Sequence, residues 1–216
     1  MGAFGLDSGE RGGHIYCMGL RLFHAPRARS TNALWMLEEL GVPYDLTVVD
    51  IRRGDGSGAL DPKNPHPHGK VPTIEHDGVV VHEQAAIAAY LADTFPEARL
   101  GPPIGDPRRG PFLTWLAYYA GVFEPSATSK FLQWKVPRST AAWVDFDEVI
   151  PHIDGTLSKE PYLVGDQFTM VDVLFGGGFA FFSQNPAFQL PPAIRAYADR
   201  CVARPALARA RARDEG

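Results

Sequence analysis

HGKVPTIEHDGVVVHEQAAIAAYL, residues 68–91, packs a strand, a tight turn, a second strand and the opening of a helix into one short stretch. Val71-Pro72 leads into a strand over Thr73–His76. Asp77-Gly78 divides Ile74-Glu75-His76 from Val79-Val80-Val81. A two-residue type I′ turn needs positive φ at both central positions, and Asp-Gly adopts that geometry readily. Beyond Glu83-Gln84, Ile87, Leu91 and Phe95 recur at i, i+4 and i+8 with Tyr90 beside them, which marks one face of a helix. Backbone from a proline loop and polar atoms from a helix start therefore meet at one end of a small sheet. That arrangement suits a small polar molecule held by its backbone.

Upstream, Leu20–His24 reads as a strand and Ala25-Pro26-Arg27-Ala28-Arg29 as a turn. Ser30 is a candidate N-cap, its hydroxyl able to accept from a free helix N–H. Ala33, Leu37 and Leu40 line the face of the helix that follows, and Gly41 ends it. Tyr44–Ile51 reads as a second strand, completing a βαβ unit whose strands should run parallel with a right-handed crossover. Arg52–Pro67 is a Gly/Pro/Asp-rich loop with room for a short irregular helix. The order βαβ, loop, ββα predicts a four-stranded mixed sheet with helices against it, an α/β thioredoxin-like domain over residues 19–95.

Residues 96–111 are rich in proline and glycine and read as a linker. From 112 to 216 no strand pattern is evident, and an all-α region is expected. Phe112, Trp115, Leu116, Tyr119, Val122 and Phe123 follow helical spacing, as do Trp143, Phe146, Ile150, Ile153 and Leu157, with Pro151 expected to bend that helix. Thr169 followed by Asp172 forms a capping-box start, flanked by the staple pair Phe168 and Val173. Gly176-Gly177-Gly178 lies inside the helix after it, at a cost of roughly 2–3 kcal/mol against alanine. The triplet points to close approach by another backbone. No strand leads into it, so a phosphate loop is the poorer reading. A last helix starts near Ala193.

Bulk properties narrow the class. The 216 residues carry a net charge of −4, with 45% hydrophobic and 21% charged residues. A buried core is readily supplied. The acidic balance argues against nucleic acid, whose binding rests on clustered positive charge. Arg204, Arg209, Arg211 and Arg213 alternate with small residues beside Asp214 and Glu215, and read as a solvated helix end. Cys17 and Cys201 make neither a metal spacing nor a disulfide framework. No run approaches the ~18 apolar residues of a membrane span. The glycine-rich residues 1–18 lack the apolar core of a signal peptide and read as a loose extension, with Met18 a possible start. A cytoplasmic chain is expected.

Four segments together resemble the soluble glutathione S-transferase family. LFHAPRARSTNALWMLEELGVPYDL is similar to the family's first strand, active-site turn and first helix. HGKVPTIEHDGVVVHEQAAIAAYL resembles its glutathione-binding loop and third helix. YLVGDQFTMVDV resembles the capping motif of its helical domain, and RCVARPALARA its closing helix. The resemblance implies a thioredoxin-like domain that binds glutathione, a helical domain that shapes a pocket for a small hydrophobic electrophile, and a homodimer. Glutathione enters as co-substrate, with no metal, and neither membrane nor nucleic acid as a partner.

By position, the resemblance makes Val71 the residue whose backbone pairs with the cysteinyl portion, with Pro72 cis. Lys70 falls near the glycyl end. Glu83 and Gln84 match the acidic–hydroxyl pair for the γ-glutamyl end, with Gln84 in place of the usual serine or threonine. His66 and His68 read as loop surface, with His68 a weak ligand contact. Thiol activation has no single candidate. Where some classes carry a tyrosine the chain has His24. Where others carry a cysteine it has Arg29 followed by Ser30. Ser30 is the expected hydroxyl donor and Arg29 its cationic neighbour, although Ser30 serves equally as a plain N-cap. The electrophile pocket is expected near His24, Trp115, Tyr118 and Tyr119, with one of the two tyrosines facing the cleft. Two alternatives share the scaffold: a glutathione-dependent peroxidase, isomerase or lyase, and a non-catalytic glutathione-binding adaptor.

Overall fold

A computed structural model describes residues 19–214. The expected N-terminal extension, Met18 and Cys17 lie outside the described residues. Strand β1 (Arg21–His24) buries Leu22, Phe23 and His24, and helix α1 (Ser30–Leu40) packs against it. The chain returns through β2 (Asp45–Val48), parallel to β1, and then through β3 (Thr73–His76) and β4 (Val79–His82), joined as an antiparallel hairpin. The sheet order is β2-β1-β3-β4, with β1 antiparallel to β3. Asp77 and Gly78 take φ of 50° and 80°, the two positive values that the Asp-Gly turn requires. Helix α2 (Gln84–Thr94) follows. The mixed four-stranded sheet with helices against it is the thioredoxin-like plan expected from the element order.

Differences are local. β2 stops at Val48 rather than Ile51. The next residue, Val49, still donates to His24 O at 2.8 Å, but Asp50 then turns its carboxylate onto the N–H groups of Ile51 and Ala59. These bonds tie the loop to itself and take it out of the sheet. No helix forms over Arg52–Pro67. Helix α1 begins one residue earlier than expected: Arg29 occupies the cap position, without a side-chain cap, and Ser30 is the first helical residue.

After the proline-rich segment the chain is helical: α3 (Arg109–Tyr118), a π-helical turn (Tyr119–Phe123), α4 (Glu124–Phe131), α5 (Phe146–Leu157), α6 (Met170–Phe182), α7 (Pro192–Val202) and α8 (Pro205–Asp214). Helix α3 starts inside the stretch read as linker, and a short 3-10 turn covers Pro96–Ala98. Helix α5 runs through Pro151, and Trp143 lies before it.

Helix α6 is the central spine. Its capping box is complete: Asp172 accepts from the N–H of Thr169 at 2.8 Å and from its hydroxyl at 3.0 Å. The same buried carboxylate accepts from Leu163 N at 3.1 Å and Tyr197 Oη at 2.9 Å. Burial nevertheless dominates and pushes its pKa up to about 6. The glycine triplet lets three elements close on the spine. A Cβ on Gly176 would sit 2.5 Å from Cys201 Cβ, one on Gly177 2.7 Å from Asn32 Oδ1, and one on Gly178 3.0 Å from Phe123 Cε1. The close approach is made by side chains, not by the second backbone that the triplet suggested.

Three of the four C-terminal arginines are not free in solvent. Arg204 holds Glu39 through two bonds of 2.6 Å, while Arg209 and Arg213 converge on Glu38. These pairs dock α8 against α1.

Candidate functional site

The cis peptide at Val71-Pro72 and the start of α2 bound a cavity of about 290 Å³. Its walls include Lys70, Val71, Pro72, Glu83 and Gln84 from the N-terminal region, and Tyr119, Ala120 and Glu124 from the helical one. Arg29, His66 and Ala85 complete the lining. The five residues expected at the peptide end are therefore brought together in one place. Glu83 precedes α2 with φ at 69° and its side chain 70% exposed. A non-glycine residue in that region carries strain of order 1–3 kcal/mol, a cost that clusters at ligand sites. Gln84 is buried, and its Oε1 accepts from Asn32 Nδ2 at 3.0 Å.

The wall opposite Glu83 is built by the π turn. Tyr119–Phe123 inserts an extra residue between α3 and α4, which leaves Phe123 in the core while Tyr119, Ala120 and Glu124 reach the cavity. Such turns interrupt regular helices most often at functional sites. Glu124 Oε1 accepts from Arg29 Nε at 2.9 Å and from Tyr119 Oη at 3.3 Å. Burial works against the Arg29 charge, but Glu124 outweighs it and holds the guanidinium above its usual pKa. Burial, reinforced by Glu124, also keeps the Tyr119 phenol well above the ordinary range. Tyr119 is thus a neutral wall.

Several expected site residues lie elsewhere. Ser30 is fully buried, and its hydroxyl donates to Ala25 O and accepts from Ala25 N, both at 3.2 Å. It closes the turn before α1 and is not part of the cavity wall. His24 is also fully buried. Its Nε2 lies 3.2 Å from Asp214 Oδ1, in contact but outside hydrogen-bond geometry, and burial lowers its pKa against the pull of that carboxylate. Trp115 is a core residue packed edge-on to Phe175, with the exposed His152 stacked on it at 5.1 Å. Tyr118 packs on Trp115 and His152. Of the two tyrosines, Tyr119 is the one that faces the cleft.

His66, expected at the loop surface, is buried and lines the cavity. His66 Nε2, His82 Nδ1 and a Glu83 oxygen lie within 4.8 Å of one another, a spacing that also suits a metal ion. However, His66 Nδ1 accepts from the His68 N–H at 3.0 Å, which places the ring proton on Nε2. A metal-bound histidine normally donates through its other nitrogen. Here the trio presents a donor where a cation requires a lone pair. Glu124 and Asn32 were absent from the sequence reading. No local pattern marks Glu124, because its partner Arg29 lies ninety-five positions away.

Comparisons with known proteins point the same way. The family model "Glutathione S-transferase, N-terminal domain" matches residues 28–94, and "Glutathione S-transferase, C-terminal domain" matches 142–205. Together they span more than half of the chain. The chain belongs to the soluble glutathione S-transferase family. Glutathione S-transferase GstA of Escherichia coli O157:H7 is 29% identical over 161 residues, covering 71% of this chain and 77% of that protein. The structure of a glutathione transferase from Methylococcus capsulatus superposes with a TM-score of 0.71 at 26% identity, covering 91% of this chain and 98% of that one. A sphingomonad glutathione S-transferase complexed with glutathione gives 0.72 at 25% identity, covering 90% and 98%. No helix among the described residues is long and apolar enough to cross a membrane.

Proposed function

We propose that this family member is a glutathione transferase that adds the glutathione thiolate to small hydrophobic electrophiles. The observation that carries the reading is the single cavity joining Val71-Pro72 and Glu83 to the Arg29 guanidinium. Val71 pairs with the cysteinyl portion of the peptide as an added strand would. Lys70 lies toward the glycyl end. Glu83 receives the γ-glutamyl ammonium, and the start of α2 favours the adjoining carboxylate.

The reaction needs a thiolate. A free thiol has a pKa near 8.5, and lowering it by about two units requires about 2.7 kcal/mol of preferential stabilisation. With the Ser30 hydroxyl committed to Ala25, that task falls to Arg29 and to the N-terminus of α1. Glu124 occupies only Nε of Arg29; its terminal nitrogens donate no hydrogen bond among the described residues. They are free to hold the sulfur anion. The sulfur then attacks the electrophilic carbon, forms the C–S bond and expels the leaving group, or passes the electron pair into a conjugated acceptor. The thiol proton goes to solvent. Glu124 fixes the guanidinium, and Tyr119 and Ala120 line the side where the electrophile enters.

Turnover of a chlorinated nitrobenzene tests the reading. Arg29→Ala should lower kcat about tenfold and shift the pH–rate profile alkaline, the thiolate having lost a cationic partner. An unshifted profile removes Arg29 from the mechanism. Glutathione binding without turnover would favour the adaptor reading, which the sealed Ser30 hydroxyl also suits. We also infer a homodimer. Val79 and Val80 are exposed on β4 at the open edge of the sheet, which supports a partner there and is read by sedimentation equilibrium.

A further inference from the structure

His66 is held more firmly than a loop residue needs to be. Its own N–H donates to Asn64 Oδ1 at 3.1 Å, its carbonyl accepts from Gly69 N at 2.9 Å, and its Nδ1 accepts from His68 N at 3.0 Å. Asn64 in turn donates to Lys70 O at 3.0 Å, one residue before Val71. The loop over 64–70 thus fixes both the place and the tautomer of one imidazole. With Nδ1 committed as an acceptor, Nε2 carries the proton. That N–H makes no hydrogen bond among the described residues and belongs to the cavity wall, 3.8 Å from Glu83 Oε1. The ring stays a donor there whether the imidazole is neutral or charged.

A γ-glutamyl terminus carries an ammonium and a carboxylate on one carbon. If Glu83 takes the ammonium, the carboxylate falls beside it and needs donors. Gln84 accepts from Asn32 through its carbonyl and keeps its amide NH2 as one donor at the cavity wall. His82 Nδ1 approaches the same Glu83 oxygen at 3.4 Å from a side chain that is 39% exposed, with its ring centroid 4.8 Å from that of His66. Lys70 and His68 are the remaining charged or titratable neighbours of His66, both from its own loop. His66 adds a second donor: its ring is buried, locked in rotation and part of the cavity wall, with a free N–H. We propose that His66 binds the α-carboxylate of the γ-glutamyl group, so that His66 and Glu83 together read a free amino-acid terminus. The proposal deepens the functional reading above and rests on it.

Titration calorimetry of the full chain with three peptides tests the assignment. Glutathione carries both charges, 4-aminobutanoyl-Cys-Gly lacks the α-carboxylate, and glutaryl-Cys-Gly lacks the ammonium. His66→Ala should weaken glutathione and the glutaryl peptide about tenfold, the size expected for a hydrogen bond to a charged group. It should leave the aminobutanoyl peptide within about twofold of the unmutated chain. Glu83→Gln should reverse the pattern. His66→Gln, which keeps an N–H donor, should recover part of the loss and covers the case in which His66→Ala fails to fold. Equal loss for all three peptides, or no loss for glutathione, overturns the assignment of His66 while leaving the functional reading standing. An unmutated chain that binds none of the three overturns both.

Discussion

Gly176 and Gly177 are neighbours on α6, yet alanine at each should do different things. At Gly176 the new methyl would lie 2.5 Å from Cys201 Cβ and 3.0 Å from its sulfur. Carbon atoms pack at about 3.5–4.0 Å, so α6 and α7 must part by roughly an ångström. Overpacking of this kind costs about 1–3 kcal/mol, and alanine returns about 1 kcal/mol of helix propensity. The net loss is about 0–2 kcal/mol. At Gly177 the methyl would meet Asn32 Oδ1 at 2.7 Å. That atom ends a flexible side chain and can swing aside, but the movement breaks the 3.0 Å bond from Asn32 Nδ2 to Gln84 Oε1. A buried carbonyl left without a donor costs about 1–3 kcal/mol, again offset by about 1 kcal/mol of propensity. The two variants should therefore lose similar stability.

Their ligand affinities should separate them. Gln84 lines the cavity and Cys201 does not. Gly177→Ala should weaken glutathione about tenfold, because Gln84 loses the partner that orients its amide. Gly176→Ala should leave binding unchanged. Urea midpoints report stability and calorimetry reports affinity. Asn32→Ala combined with Gly177→Ala should bind no worse than Gly177→Ala alone, since both act on one bond. Equal loss of affinity in the two glycine variants would refute the route through Asn32, as would unchanged binding in Gly177→Ala.

Two further outcomes concern stability. Burial raises the Asp172 pKa from 3.8 to about 6, so the folded chain binds that proton more tightly than the unfolded one. Stability from this group is then present at low pH and is lost as pH rises from about 4 to about 6. The difference is of order 3 kcal/mol across the window; urea midpoints over that range should show the component in the unmutated chain and not in Asp172→Asn. Glu39 is buried and accepts from Trp35 Nε1 at 2.9 Å as well as from Arg204. Arg204 also lies 3.9 Å from the Phe168 ring centre. Glu39→Ala should destabilise the chain by about 3 kcal/mol by orphaning Trp35 and Arg204 together, and 0.5 M salt in a thermal melt should not reproduce the loss.

How far the sequence carried the argument depended on how far apart the deciding residues lie. The Asp77-Gly78 hairpin, the capping box at Thr169 and the βαβ opening are local patterns, each specified within a few residues, and each is found where the pattern put it. The cavity wall from Lys70 to Gln84 was legible for the same reason, because those residues form one short stretch. The wall at Arg29 was not. Ser30 looked available because a serine after a turn usually offers its hydroxyl to a helix N–H or a ligand. Whether it does depends on Ala25, whose backbone takes both hydrogen-bonding functions of that hydroxyl. Trp115, Tyr118 and Tyr119 share one helical pattern, and no periodicity tells a core face from a cleft face when a π turn shifts the phase within it. That turn brings Glu124 to Arg29 and gives the cavity its charged wall. Helical spacing could nominate the aromatic residues, but it could not show that Tyr119, packed on Phe123 and Phe175 in the core, also borders the cavity while Trp115 does not.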